Sequence, residues 1–192
     1  VLSKSINKPS YFIISIFILL YPALCLAEPW TQHTLDQSSR GADGVRLADV
    51  NQDSHMDIVP GWEEGGVIRL YLNPGPQDAV NPWPKVNIGS VRSPEDAVCV
   101  LAPRQKKFYV VSCCEGNEKT VFFHWPNDFT QILDPKVWQT AALPVSKNKQ
   151  LWMYCLPLNI DNRVGIDLRV GAKGKKGQLG WFQAPEDPFA MD

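Results

Sequence analysis

The fold is decided by the stretch Asp49-Val50-Asn51-Gln52-Asp53-Ser54-His55-Met56-Asp57-Ile58. Side-chain oxygens occupy its first, third, fifth and ninth positions, on Asp49, Asn51, Asp53 and Asp57, and the carbonyl of His55 is a candidate backbone ligand. Hard cations such as Ca²⁺ take about six to eight oxygen ligands. The spacing therefore predicts one Ca²⁺ site, although Asp and Asn also favour turns that hold no metal.

The residues on either side of this loop are typical of β-strands. A largely hydrophobic run, residues 44–48, leads into the loop, and Ile58-Val59 leads out of it. An EF-hand loop has Gly at its sixth position and Glu at its twelfth. Ser54 and Pro60 stand at those positions here. The pattern therefore excludes an EF-hand and favours a strand–loop–strand unit.

The same pattern recurs further along the chain, which indicates an internal repeat. Residues 49–61 align without a gap with residues 159–171, and each segment is followed by a glycine-rich turn and an aromatic strand. Residues 108–126 form a weaker middle copy of the strand–turn–strand pattern.

Each copy has the sequence features of strand, loop, strand, tight turn and strand, with room for one more strand. If Gly61, Cys113 and Gly171 are equivalent, the copies are 52 and 58 residues apart. This predicts an all-β fold of four-stranded antiparallel blades, the unit from which β-propellers are built. The predicted blades are residues 30–90, 91–145 and 146–192.

The predicted metal loop changes from copy to copy. In the third copy Arg163 stands at the fifth position, where its charge would take the place of a bound cation. In the second copy residues 102–107 contain no carboxylate. We therefore expect one competent Ca²⁺ loop, in the first copy.

The loop and its flanks resemble a known repeat family. Residues 41–51 and 61–66 are similar to the FG-GAP or VCBS repeat of integrin-alpha-like β-propellers, and the similarity extends over most of residues 30–187. The resemblance implies an exported bacterial protein with a seven-bladed propeller and Ca²⁺ loops in some blades. Ser54 departs from the glycine that the family has at this position.

The length fits fewer blades than the family has. Residues 28–192 comprise 165 residues, whereas propellers carry about four to eight blades. At the repeat spacing found here, about three blades fit. The expectation is a truncated seven-bladed propeller. The alternatives are the N-terminal part of a longer protein and closure by self-association of the uncovered end blades.

The first 27 residues have the features of an export signal. Lys4 and Lys8 precede the apolar run of residues 11–21, and small residues stand at positions −3 and −1 before Glu28. Cleavage after Ala27 predicts a secreted, periplasmic or cell-surface protein without a membrane span in the mature chain. A lipid anchor on Cys25 is the alternative. The mature chain would hold 20 acidic and 17 basic residues, a net charge of −3, and its charge pattern excludes nucleic acid as a partner.

Four cysteines follow the signal, at positions 99, 113, 114 and 155. An exported chain permits disulfides, and four cysteines allow three pairings. Their spacing matches no zinc motif, so a structural role is expected, with the pairing left open.

No catalytic motif occurs in the sequence, which favours a non-catalytic propeller that binds protein or glycan. The alternative is part of a polysaccharide-acting hydrolase or lyase whose catalytic residues lie in further blades. The repeat also predicts an anion site, because cations at matching positions precede each innermost strand and a polar residue follows each cation. These residues are Arg40, Arg92 and Lys147, followed by Asp43, Asp96 and Gln150. Internal pairing of each cation with its own acid is the alternative.

Overall fold

The protein is described here from a computed structural model that covers residues 30–102, 104 and 106–190. The predicted signal peptide, residues 1–27, lies outside the described residues. The chain divides into two units, Val1–Gln32 and His33–Asp192, and the second holds all the described strands.

The described part of the second unit contains eleven strands and two short 3₁₀ helices, which are joined by loops. The strands are β1 Ala42–Ala48, β2 Asp57–Trp62, β3 Val67–Tyr71, β4 Lys85–Ser90, β5 Pro94–Ala102, β6 Lys107–Cys114, β7 Val121–Pro126, β8 Trp138–Ala142, β9 Leu151–Leu158, β10 Asp167–Lys173 and β11 Leu179–Phe182. The 3₁₀ helices are Pro135–Val137 and Pro144–Ser146. The all-β prediction is confirmed.

The strands form three antiparallel sheets, each a meander of consecutive strands. The first sheet has the order β1-β2-β3-β4 and the second β5-β6-β7-β8, whereas the third has three strands in the order β9-β10-β11. Four-stranded sheets are thus found twice, and the third sheet lacks a fourth strand among the described residues. The described sheets do not close into a ring.

The first strands of the three sheets lie side by side, since β1 contacts β5 and β5 contacts β9. Gly44 makes the first approach possible. A Cβ at Gly44 would lie 2.4 Å from the Asp96 Cα and 2.8 Å from the Glu95 carbonyl oxygen. A side chain there would force β1 and β5 apart.

The second sheet is sandwiched between the other two, and its sequence reflects that position. Nearly every residue of β5 and β6 is buried, because alternate side chains turn to opposite neighbours. Ala97 and Val110 belong to the core shared with the first sheet, and Val98 and Val111 to the core shared with the third. Each fully buried aliphatic side chain contributes about 1.5–3 kcal/mol, so these two cores hold the sheets together.

The outer face of the first sheet is partly covered by the segment that precedes β1. Asp36 in that segment accepts hydrogen bonds from the Tyr71 hydroxyl at 2.7 Å and from Arg69, and Lys85 lies 2.8 Å from the same carboxylate. Burial acts to raise the pKa of Asp36, but the hydrogen bonds from Lys85 and Tyr71 hold it well below its usual range. The carboxylate therefore ties residues near the N-terminus of this unit to β3 and β4.

All four cysteines of the second unit are buried free thiols in the structure. No helix among the described residues combines the length and apolar character that crossing a membrane would require.

Candidate functional site

The loop between β1 and β2 is built around the side chain of Asp49. Its two carboxylate oxygens accept hydrogen bonds from the backbone N–H groups of Asp53 and Ser54, both at 3.0 Å. The Asn51 side-chain oxygen accepts from the same Asp53 N–H at 3.2 Å. The oxygens of Asp49 and Asn51 therefore converge on one point of the loop.

Asp53 completes the exposed part of the loop. Its Oδ1 accepts the His55 N–H at 2.8 Å and its Oδ2 accepts the Asn51 amide at 2.8 Å. The His55 N–H, followed by the Asn51 amide, holds the pKa of Asp53 below its usual value. Ser54 has φ 72°, a left-handed conformation that glycine adopts without strain. The departure from glycine at this position is thus accommodated at a conformational cost.

Asp57 has a different place from the other predicted ligands. It is fully buried, with its Oδ2 accepting the Val50 N–H and its Oδ1 the Asn73 N–H, each at 2.9 Å. Burial raises its pKa despite these hydrogen bonds. In the structure Asp57 acts as a brace that joins Val50, at the start of the loop, to Asn73, which follows β3.

Asp49, Asn51 and Asp53 supply the side-chain oxygens of the loop. Their oxygens are the ligand type that Ca²⁺ prefers. Asn51 and Asp53 are exposed, and Asp49 is half-buried. The half-buried His55, whose Nδ1 lies 3.3 Å from the Asp53 carboxylate, is predicted to contribute only its carbonyl.

The third sheet repeats the brace but not the ligand loop. Asp167, also buried, accepts the Ile160 N–H and the Ala184 N–H, both at 2.8 Å. In the loop before Asp167, the Arg163 guanidinium lies 3.6 Å from the Asp161 carboxylate. An arginine therefore faces the acid of this loop.

The residues of the predicted anion site have unlike environments. Arg40, Asp43, Arg92 and Lys147 are exposed, whereas Asp96 is 2% exposed. Asp96 pairs with Arg46 of β1 and not with Arg92, and it also accepts the Cys155 N–H at 3.1 Å. Asp96 therefore joins three sheets, whereas the other residues of the predicted anion site lie at the surface.

Three acidic side chains that were not predicted as a site lie together near the start of β5, the first strand of the second sheet. Glu63, Glu95 and Glu115 each place an oxygen within 4.8 Å of the others, and Lys173 pairs with Glu115. Glu63, Glu115 and Lys173 lie two residues after the aligned positions 61, 113 and 171. The repeat register would have found these three, but not Glu95.

Glu95 and Glu115 of this cluster have opposed pKa shifts. Burial, followed by the hydrogen bond to Glu115, raises the pKa of Glu95 to about 7. The Lys173 ammonium lowers the pKa of Glu115. The arrangement favours a proton on Glu95 below about pH 7, while Glu115 loses its proton at a lower pH.

A buried serine–histidine pair lies in the second sheet. Ser112 Oγ is 2.8 Å from His124 Nε2, and Thr140 Oγ1 is 2.9 Å from His124 Nδ1. Ser112 and His124 are fully buried, and burial lowers the pKa of His124 to about 3. Because no substrate reaches a fully buried hydroxyl, this is a polar element of the core.

Comparisons of the chain with protein-family models, with curated proteins and with solved structures found no match. The similarity to FG-GAP or VCBS repeats therefore stays a hypothesis that rests on the loop and turn residues.

Proposed function

We propose that this chain is an exported, non-catalytic β-propeller protein with one Ca²⁺-binding loop, and that it binds a protein or a glycan. One observation carries the proposal. Asp57 and Asp167 receive the same pair of backbone hydrogen bonds at the same place in two sheets, but an arginine faces the acid of the loop only in the third sheet.

The arrangement of the sheets supports the propeller part of the proposal. In a propeller the first strand of each blade lies nearest the central axis and neighbours the first strands of adjacent blades. Here β1, β5 and β9 lie next to one another in that order, and each begins a meander of consecutive strands.

In the proposed site Asp49, Asn51 and Asp53 hold the ion through side-chain oxygens, and His55 through its carbonyl. Asp57 positions the loop through the hydrogen bonds that it accepts from the Val50 and Asn73 N–H groups. Bound Ca²⁺ would supply positive charge that offsets the repulsion between Asp49 and Asp53. With a Kd on the order of 10⁻⁴ M, which suits an extracellular module, tenfold excess calcium stabilises the fold by about 1.4 kcal/mol.

Thermal unfolding with Ca²⁺ and with EDTA tests this site. The wild-type chain should melt at a higher temperature in Ca²⁺, and Asp53→Ala should abolish the difference. Asp161→Ala, in the corresponding loop of the third sheet, is the matched control and should retain it. Equal melting temperatures of the wild type in Ca²⁺ and EDTA would refute calcium binding.

The proposed ligand surface uses the exposed cations Arg40, Arg92 and Lys147. Heparin, as a probe for acidic glycans, should bind the wild-type chain and elute at lower salt from an Arg40→Ala/Arg92→Ala double variant, because screening weakens exposed charge interactions. Retention of both proteins at the same salt concentration would leave these cations without a ligand role and would not affect the calcium proposal.

The alternative function, part of a polysaccharide hydrolase or lyase, is favoured by one feature. Glu95 and Glu115 form an adjacent carboxyl pair with separated pKa values, as acid–base catalysis requires. Glu95 is only 9% exposed, however, and Lys173 engages Glu115. These contacts favour a structural role. A Glu115→Gln variant that loses hydrolysis of a polysaccharide substrate would reverse this preference.

A further inference from the structure

We propose that two copies of this chain associate through the free edge of β11, which pairs with the β11 of the second copy in antiparallel orientation. The partner that pairs with this edge is thus a second copy of the same chain. The inference concerns self-association and holds whether or not the loop binds Ca²⁺.

The outer edge of β11 has backbone groups available for pairing. Ala172 donates its N–H to the Gln178 carbonyl at 2.9 Å, and Gly180 is opposite Val170 in the register of β10 and β11. Backbone groups alternate in direction along an antiparallel strand. Those of Leu179 and Trp181 therefore turn away from β10, and no described strand pairs with that side.

The edge lacks the features that normally prevent such pairing. Edge strands of soluble proteins carry charged residues or proline, but residues 178–184 contain neither. Leu179 is 73% exposed and Trp181 is 42% exposed. Both lie on the face of the third sheet that points away from the second sheet, since their neighbour Phe182 packs inward against Trp152.

The inner face of the third sheet borders a cavity near β11. A cavity of about 530 Å³ lies between the second and third sheets. Its lining is mostly apolar and includes Phe182 and Leu168 of the third sheet and Ala142 and Leu143 beside β8.

The sequence around β11 is complementary to itself when two copies are antiparallel. If Gly180 is opposite Gly180 of the second copy, Leu179 is opposite Trp181, and the two pairs cover each other's apolar side chains. The exposed Lys175 and Lys176 before the strand then lie near the exposed Glu186 and Asp187 that follow the strand of the second copy. Opposite charges thus meet at both ends of the interface, which favours this register.

Cysteine crosslinking at Gly180 tests the register directly. Gly180 and its copy would form a pair without mutual hydrogen bonds, with Cα atoms about 4.5 Å apart, which is within the range of a disulfide. A Cβ at Gly180 meets no atom within 4 Å, so the substitution is tolerated. Gly180→Cys should give a covalent dimer when a disulfide oxidant such as diamide accepts the two electrons and two protons of the thiols. Leu47→Cys, at a position in β1 that is also exposed, should not give a covalent dimer.

Sedimentation over a range of concentrations provides the second measurement. The wild-type chain should show a monomer–dimer equilibrium, and Trp181→Lys should raise the dimer dissociation constant about tenfold or more. Leu47→Lys, which alters an exposed apolar side chain of β1 and not of β11, should leave the dimer dissociation constant unchanged. Reversing Lys175 and Lys176 to Glu should weaken the dimer, and adding Glu186→Lys and Asp187→Lys should restore it.

Three outcomes would overturn the proposal. They are a wild-type monomer at every concentration, association that Trp181→Lys does not weaken, and open-ended oligomers in place of a closed dimer. The last result would show that the outer faces of the end sheets associate instead. None of these outcomes depends on calcium, so the proposed calcium loop is tested separately.

Discussion

Arg46 and Asp96 join the first and second sheets through two parallel hydrogen bonds, each 3.0 Å long. Asp96 is 2% exposed, and its Oδ2 also accepts the Cys155 N–H from the third sheet. One carboxylate thus contacts the first strand of every sheet. The hydrogen bond to Asp96 raises the pKa of Arg46, so the guanidinium remains charged.

Removal of the guanidinium should destabilise the protein more than removal of an exposed cation. Arg46→Met leaves a buried carboxylate with only the Cys155 N–H as a hydrogen-bond donor. Breaking a fully buried ion pair costs about 3–5 kcal/mol, and we expect about 2–3 kcal/mol here because the Arg46 side chain is 36% exposed. Urea unfolding measures the change. Arg92→Met, at an exposed cation, is the control and should stay within about 0.5 kcal/mol of the wild type.

Both braces should stabilise their sheets, Asp57 more than Asp167. Asp57→Ala leaves the N–H groups of Val50 and Asn73 without partners, and Asp167→Ala does the same to Ile160 and Ala184. An unsatisfied buried donor costs about 1–3 kcal/mol. Val50 is buried, whereas Asn73 and Ala184 are half-buried and Ile160 is exposed. Asp57→Ala should therefore lose about 1–3 kcal/mol of unfolding free energy in EDTA, and Asp167→Ala should lose less. A loss confined to Ca²⁺-containing buffer in Asp57→Ala would instead show that this side chain is a metal ligand and no brace.

The sequence was sufficient to predict the features that repeat with a constant register. The gapless alignment of residues 49–61 with 159–171 places Asp57 opposite Asp167, and the structure gives both the same hydrogen bonds. The strand, loop and turn of each copy follow from the same alignment, because local hydrophobic patterning and turn residues determine them.

Contacts between sheets could not be predicted in this way. Arg46 is 50 residues from Asp96 in sequence. The sequence pattern around Asp96 does not indicate whether Arg46 or Arg92 pairs with its carboxylate. The choice depends on which strands lie side by side and on the irregular register of β5 between Pro94 and Asp96. Glu95 lies at that irregularity, so its approach to Glu63 and Glu115 was also missed.

Acid should destabilise the protein through His124. The pKa of this imidazole is about 3 in the folded protein because the ring is buried, against 6.5 ordinarily. The unfolded chain therefore binds the proton first, and the stabilising contribution is lost as the pH falls from about 6.5 towards 3. Between pH 7 and pH 5 this amounts to about 2 kcal/mol.

The measurement is the unfolding free energy of wild type and His124→Asn at pH 7 and pH 5. The variant removes the hydrogen bonds and leaves a space, so it should be less stable at both pH values, but the additional loss at pH 5 should be absent. An equal pH dependence in the two proteins would mean that His124 does not titrate as its burial requires.

Glu95 should act in the opposite direction. Its pKa is raised from 4.5 to about 7 by burial and by the neighbouring Glu115, so the folded protein holds a proton that the unfolded chain releases. Its stabilising contribution is complete below about pH 4.5 and is lost as the pH rises towards 7. Glu95→Gln keeps a neutral side chain of the same shape. Relative to the wild type, it should gain about 1–2 kcal/mol in unfolding free energy between pH 5 and pH 7.

The contributions of His124 and Glu95 oppose each other between pH 5 and pH 7, so the wild type alone should show little net change. Each contribution therefore has to be read from its own variant. If Glu95→Gln and the wild type keep a constant difference over this range, Glu95 is ionised in the folded protein. In that case the three acids of the cluster would carry more negative charge than Lys173 balances. If the difference grows with pH as expected, the shared proton between Glu95 and Glu115 is what allows three acids to meet where the first strands begin.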